Sequence, residues 1–441
     1  MRTSQKYFLT RIFILKAFLL LSGILFAQKE SNIWYFGGYA GLDFNTNPPT
    51  ALTNGALGTL EGCASIADNN GNILFYTDGD TVWNRKHLPM PNGFALMGFW
   101  SVFAWTSTQA AIILPKTCNT YYVFTVDGET DHGAFRYSIV DMTLDGGRGD
   151  VSIKNRVIHE PVCEKLTIVK HANGKDVWVV IHEFNTNEFL AYLVNDSLNS
   201  SNPVHSPVGT IHTAVYGDIK ASPDTKKIAV AIQDIASYEV FDFDNATGKI
   251  TKPIKFPKAH FYSYNLEFSP DGSRIYVNGK NNSNGIDELY QYDLLAGSNA
   301  NINASGIRIK MDIKHIGALQ LGPDGKIYVA RQDVGYLGII NNPNSLGLAC
   351  NYVEAGVFLG GKRSTSGLPQ KIQRANFTSP NLTVSPNDTI CPGEHFSLSA
   401  TGANTYGWWP FSELNSSSGS RVITSPEINT SYTVIDRKSV V

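Results

Sequence analysis

The chain has 441 residues, more than one ordinary domain requires, and its 36 Lys plus Arg against 38 Asp plus Glu give a formal net charge of −2. That balance supplies no basic footprint, so nucleic-acid binding is set aside.

In chain order, the first residues carry Arg2, Lys6, Arg11 and Lys16, then an apolar run over 17–26 and the pair Ala27-Gln28. This is the pattern of a secretory signal peptide over 1–27, cut after Ala27. The apolar run of about ten residues falls short of the ~20 that a membrane-spanning helix needs, and no later segment qualifies. The mature chain is therefore expected to be exported, extracellular or on the outer cell surface, with no integral membrane span. An N-terminal anchor that is never cleaved is the alternative.

The mature chain opens with Ile33-Trp34-Tyr35-Phe36-Gly37 and Gly41-Leu42-Asp43-Phe44, which read as the second and third strands of a unit with no first strand. A strand–turn–strand phrase then appears six times at intervals of about fifty residues. It turns at Gly71, Asn119, Asn173-Gly174, Thr225, Gly272 and Gly325, and is clearest as Ser269-Pro270-Asp271-Gly272 and Gly322-Pro323-Asp324-Gly325. Asn-Gly and Asp-Gly suit tight hairpins because they accept positive φ, and the flanking runs are β-branched or aromatic. A third strand is expected at 135–139, 189–193, 238–243 and 288–292. Such a repeat is the signature of a β-propeller, its period somewhat above the ~40–45 residues of a WD-type blade, as longer loops allow. A lone strand at 367–377 has no partner after it, so it is expected to pair with 33–37 and close the ring. Six phrases plus one shared blade make an all-β, seven-bladed propeller over 28–378, with six or eight blades left open.

After residue 378 the texture becomes Pro-, Ser- and Thr-rich. The stretch 379–384 reads as a linker, and 385–441 as a small Ig/PKD-like β-sandwich burying Trp408 or Trp409. With about sixty residues and an end soon after a strand, it reads as incomplete.

Together, the 34–44 stretch, Leu74-Phe75-Tyr76-Thr77-Asp78-Gly79, Glu164-Lys165-Leu166, Cys391-Pro392-Gly393 and the 401–408 stretch resemble the exported surface proteins of Bacteroidetes-type bacteria that join a WD40-like propeller to PKD or Ig-like modules. The resemblance covers nearly the whole mature chain. It implies a gliding-motility-associated protein exported by type IX secretion machinery, although the sorting domain that ends those proteins has no counterpart here.

Chemistry-bearing motifs are sparse. Cys63, Cys118, Cys163 and Cys350 could supply a disulfide after export, the pairing being open, while Cys391 lies in the other module. No Cys-x-x-Cys occurs and the histidines lack zinc-ligand spacing, so neither a metal nor a cofactor is expected. The oxygen-rich 68–72 stretch reads as a hairpin turn, because it lacks the glycine and glutamate of a calcium loop. His159-Glu160 and His182-Glu183 each look like half a zinc-protease motif without its second histidine, and are read as structural or solvent-facing. No catalytic residue is assigned. Asp78, Asp80, Asp127 and Glu183 are conceivable members of a funnel carboxylate pair, and are read first as blade-edge turn residues. Phe99, Trp100 and Trp105, in the longer inter-blade segment 97–108 and near Trp83, are candidate ligand-contact aromatics, the alternative being packing between blades. The leading expectation is a non-enzymatic, adhesin-like binding or scaffold protein recognising a surface glycan or protein. Its rival is a propeller enzyme acting on polysaccharide or peptide through carboxylates in the central funnel.

Overall fold

The computed structural model describes residues 29–98, 107–128, 133–233, 235–256, 260–281, 284–312, 315–370, 383–385, 389–401 and 406–436. The hairpin turns shape it locally. Gly272 and Gly325 sit at φ of +70° and +79°, where a Cβ would be strained. Thr225 holds the same turn position at φ +63°, and its hydroxyl accepts a hydrogen bond from Asn245 Nδ2 at 2.7 Å. The turn aspartates tie their own loops: Asp271 Oδ1 accepts from the Ser269 and Ser273 hydroxyls and from the Ser273 amide.

The six phrases become the first two strands of six sheets, and the orphan pair near the N-terminus founds a seventh. Blade I is Ile33–Phe36, Ala40–Asp43 and Thr50–Leu52, and blade II is Ala64–Ala67, Ile73–Thr77 and Val82–Asn84. The other five have four antiparallel strands each. They are blade III (Ala111–Pro115, Thr120–Val126, Phe135–Asp141, Asp150–His159), blade IV (Val162–Lys170, Val177–Glu183, Glu188–Val194, Val204–Pro207), blade V (Ile219–Ala221, Lys227–Ile232, Ser237–Asp244, Lys249–Lys255), blade VI (His260–Phe268, Arg274–Asn281, Asp287–Asp293, Ile307–Asp312) and blade VII (Ile316–Leu321, Ile327–Arg331, Tyr336–Ile340, Tyr352–Phe358). Together they form a seven-bladed β-propeller. Among the described residues the one α-helix is Asn299–Ala304, and no helix is long and apolar enough to cross a membrane.

The core lies between blades. Ile66, Phe75 and Val82 of blade II pack on Ile113, Val123 and Val140 of blade III, and Phe124 and Phe135 of blade III on Ile168, Val179 and Tyr192 of blade IV. The series continues with Val180 and Phe189 on Val230 and Phe241, then with Val240 on Leu266 and Val277, then with Tyr276 and Leu289 on Leu319 and Val329. Phe36 and Leu42 pack against Tyr328 and Ile339 of blade VII, and Tyr35 stacked on Tyr76 of blade II completes the circle. Each fully buried side chain of this size contributes roughly 1.5–3 kcal/mol, so every seam of the ring is a comparable apolar contact.

Closure is made by main chain. The segment 363–370 threads between blade VII and the crossing from blade I to blade II: Gly38 N donates to Arg363 O, Ser366 N and Gly367 N to Leu60 O, and Ala318 N to Ser366 O. Pro369 bridges Cys63 in parallel. The rest of the expected closing strand, 371–377, lies outside the described residues.

The C-terminal residues form two small sheets. Phe396–Thr401 pairs with Thr383–Val384 and Arg421–Thr424, and Tyr406–Trp409 pairs with Thr433–Asp436. Trp408 is buried with Ala400 and Val422 and donates to Gly419 O at 2.9 Å, while Trp409 faces solvent. The expected disulfide is not formed: no disulfide joins any of the five cysteines. The reason is topological. Cys63 and Cys163 sit at the inner strands of blades II and IV, Cys118 in a hairpin turn of blade III, and Cys350 in the outer loop of blade VII.

Candidate functional site

Because neighbouring strands run antiparallel, the Pro-Asp-Gly hairpins all emerge on one face of the ring. The second-to-third-strand loops and the blade-to-blade crossings emerge on the other. That second face carries the long connections 53–63 and 208–218 and the stretch 94–98, so it is the place where a propeller presents a site. The centre, where the first strands converge, is the other candidate.

Among the described residues the centre is filled. Glu164, Lys165, Gln109 and Asp218 have no exposed surface, and Lys220, Asn265, Glu267 and Gln320 are nearly as buried. Each bonds to main chain or to another member. Glu164 Oε2 accepts from Thr108 N and Oγ1 at 2.7 and 2.6 Å. Gln109 Oε1 accepts from Leu166 N and Ile219 N, and its Nε2 donates to Ile219 O. Asn265 Oδ1 accepts from Leu319 N, and Glu267 from Leu321 N and Phe268 N. The Lys165 ammonium is held by the carbonyls of Val215 and Tyr216. These bonds cross from blade to blade, so the polar residues of the first strands act as spokes of a hub. A cavity beside the closing segment, near Trp34, Ser65 and Gln370, is only about 10 Å³, the size of one water.

Within the hub, Asp218 Oδ2 accepts from Asn265 Nδ2 at 2.6 Å and lies 3.7 Å from Lys220 Nζ, while its Oδ1 has no partner. Lys220 also donates to Gln320 Oε1 at 2.8 Å. Burial pushes the Asp218 carboxyl up to about 7 against the opposing pull of Lys220, with Glu267 pushing further and the Ile219 amide and Lys165 opposing. The sign follows. Between the unfolded carboxylate value near 4 and about 7 the native state holds a proton that the unfolded state has lost, so this group subtracts stability as pH rises through that window. Asp218→Asn removes the term. Its stability relative to the parent is expected to grow by up to about 1.4 kcal/mol per pH unit from pH ~4 to ~7 and then level off. Urea unfolding of both proteins across that range checks it, and a gap that does not change with pH would refute it.

The four carboxylates considered from sequence do not meet around one bond. Asp78 Oδ1 accepts from the amides of Asp80 and Thr81 in a loop of blade II, and burial raises its carboxyl to about 6. Asp80 lies in the same loop and is raised chiefly by burial. Asp127 pairs with Arg136 and accepts from Ala134 N in blade III. Glu183 pairs with His159 Nε2 at 2.9 Å, so the two His-Glu half-motifs are joined across a blade seam. His182 instead points inward, fully buried, beside His212 and Cys163. Asp68 folds its own hairpin by accepting from the amides of Asn70 and Asn72.

Of the candidate aromatics, Phe99, Trp100 and Trp105 lie outside the described residues. Trp83 packs on Tyr76, its ring centroid 5.6 Å away and nearly parallel. Ser107 and Gln109 have no exposed surface, and Thr108 reaches Glu164. Exposed rings appear at the closure seam instead. Tyr39 and Phe358 are more than half exposed and Tyr336 is 41% exposed, with Tyr336 5.2 Å from Phe358 and Lys362 Nζ 5.8 Å above Tyr39. All lie at the ends of strands that open on the loop face. Sequence reading missed them because isolated Tyr and Phe at strand ends look like core residues, and only the ring's curvature turns them outward.

No family model matches the chain, and no curated protein matches it. Among solved structures it is similar to a protein from Bacteroides uniformis provisionally assigned as a 6-phosphogluconolactonase, at 11% identity over 74% of this chain and 98% of that one with a TM-score of 0.44. It is also similar to the periplasmic gluconolactonase of Pseudomonas aeruginosa (12% identity, 60% of this chain and 71% of that one, TM-score 0.36) and to TolB from Acinetobacter baumannii (12%, 67% and 63%, TM-score 0.35). At these values the likeness is one of architecture, and it names no activity for this chain.

Proposed function

We propose that this chain is an exported, non-enzymatic propeller that binds a surface glycan or a protein through its loop face. The observation that carries the reading is the filled hub: the central carboxylates are buried, Glu164 and Glu267 on main-chain amides and Asp218 against Asn265 and Lys220, so among the described residues the funnel offers no open acid–base pair. The exposed Tyr39, Tyr336 and Phe358 supply flat apolar area that stacks on sugar or peptide. The finer expectation, a gliding-motility-associated protein using type IX secretion machinery, rests on the sequence resemblance alone and belongs to this proposal.

The test is a glycan and protein array probed with the purified chain, followed by Tyr39→Ala and Tyr336→Ala on any hit. A specific ligand lost at least about tenfold in the variants supports the reading, since one stacked ring is worth ~1–3 kcal/mol. Turnover of an oligosaccharide, peptide or lactone by the chain would overturn it.

A further inference from the structure

Blade IV carries a cluster that neither the hub nor the loop face uses. Cys163 lies on its first strand, His182 on its second, and His212 in the crossing to blade V. One donor atom of each lies within 4.8 Å of the others, and all three side chains are fully buried. The imidazoles of His182 and His212 stack at a centroid distance of 3.5 Å, 11° from parallel.

Their hydrogen bonding is incomplete. His182 Nδ1 is 2.9 Å from the Glu183 carbonyl, which can only accept, so Nδ1 carries the proton and Nε2 keeps its lone pair. That is the tautomer in which metal-binding histidines are held by a backbone carbonyl. His182 Nε2 and both nitrogens of His212 are buried with no partner. A buried polar atom without a partner is costly, and native interiors seldom tolerate three together.

We propose that Cys163, His182 and His212 form a buried site for one thiophilic transition-metal ion, monovalent copper. The donor set of one thiolate and two imidazoles suits copper or zinc. Two features favour Cu⁺. Three ligands satisfy it, whereas structural zinc takes four, and the cluster holds three among the described residues. Charge points the same way: Cu⁺ with a Cys163 thiolate is neutral, while Zn²⁺ leaves an extra positive charge near the buried Lys165 ammonium. Binding is ligand exchange without redox, in which the Cys163 S–H bond breaks, an S–Cu bond forms and one proton leaves to solvent. Parallel rings cannot aim both in-plane lone pairs at one ion, so one imidazole must turn. His212 is the one to do so, because its side chain has no hydrogen bond to break, whereas His182 is tied to the Glu183 carbonyl.

The experiment uses the full chain with Cys118→Ser and Cys391→Ser, which removes the two exposed thiols. Cu⁺ is offered anaerobically from its bicinchoninate complex, and X-ray absorption is recorded on the loaded protein. The expected result is one equivalent withdrawn from the chelator, with one sulfur and two nitrogen neighbours. Added His212→Ala or Cys163→Ser should weaken binding by more than about 100-fold, beyond the loss caused by removing an outer-shell partner. If a variant fails to fold, the absorption spectrum of the parent decides. Copper left on the chelator, a different set of neighbours, or uptake of Zn²⁺ but not Cu⁺ would each overturn the proposal.

Discussion

Gln109→Ala is expected to destabilise the propeller by roughly 3–9 kcal/mol, as three buried groups at about 1–3 kcal/mol each lose their partners together. The Gln109 side chain accepts from Leu166 N at 3.0 Å and Ile219 N at 2.9 Å and donates to Ile219 O at 3.1 Å, with no exposed surface. Alanine leaves two amides and one carbonyl, from blades IV and V, in a dry centre. Trimming one methylene from an inter-blade cluster costs only about 0.5–1.5 kcal/mol. The loss is also large against the ~5–15 kcal/mol that holds a typical domain folded. Guanidinium unfolding followed by circular dichroism measures it. A loss below about 1 kcal/mol would mean that water already reaches these groups.

Gly367→Ala is expected to spring the ring at its closure. A Cβ at Gly367 would lie 1.7 Å from Glu61 O and 2.2 Å from Glu61 C, both backbone atoms that cannot swing aside. The closing segment and the blade I to blade II crossing would have to separate, breaking the bonds of Ser366 N and Gly367 N to Leu60 O. The expected cost is about 3 kcal/mol or more, at the top of the range for overpacking. Gly325→Ala is the control, because its added methyl meets nothing and only its φ of +79° is strained, for about 1–2 kcal/mol. Thermal unfolding and limited proteolysis at 359–370 read both. Equal effects of the two substitutions would mean that the close approach at Gly367 does not hold the ring shut.

How far the sequence reaches follows from the range of the interactions. The hairpins are local: a turn at Gly272 or Gly325 declares itself through its own residues, and counting such turns yields the number of blades. Even Thr225, without glycine's freedom, was legible by position in the repeat. The hub was not. Gln109, Asp218 and Asn265 look like any polar residue in an alternating strand, because period-two alternation distinguishes two faces of a sheet and says nothing about distance from a central axis. The Cys163, His182 and His212 cluster was invisible for the same reason. Metal motifs are recognised by short spacings on one helix or loop, whereas here strand pairing and a crossing bring together residues far apart in sequence. The exposed rings at the closure seam depend on where the last blade meets the first, which no single repeat encodes.

Among the described residues the middle of the ring is a dry, hydrogen-bonded hub rather than a funnel. Native-state hydrogen exchange of the hub amides tests it most directly. The amides of Leu166, Ile219, Leu319 and Leu321, each bonded to a buried side chain, should exchange only through global unfolding, as slowly as the best-protected strand centres. Exchange of these four at rates typical of surface loops, with the blades otherwise protected, would show a water-filled channel and contradict the account.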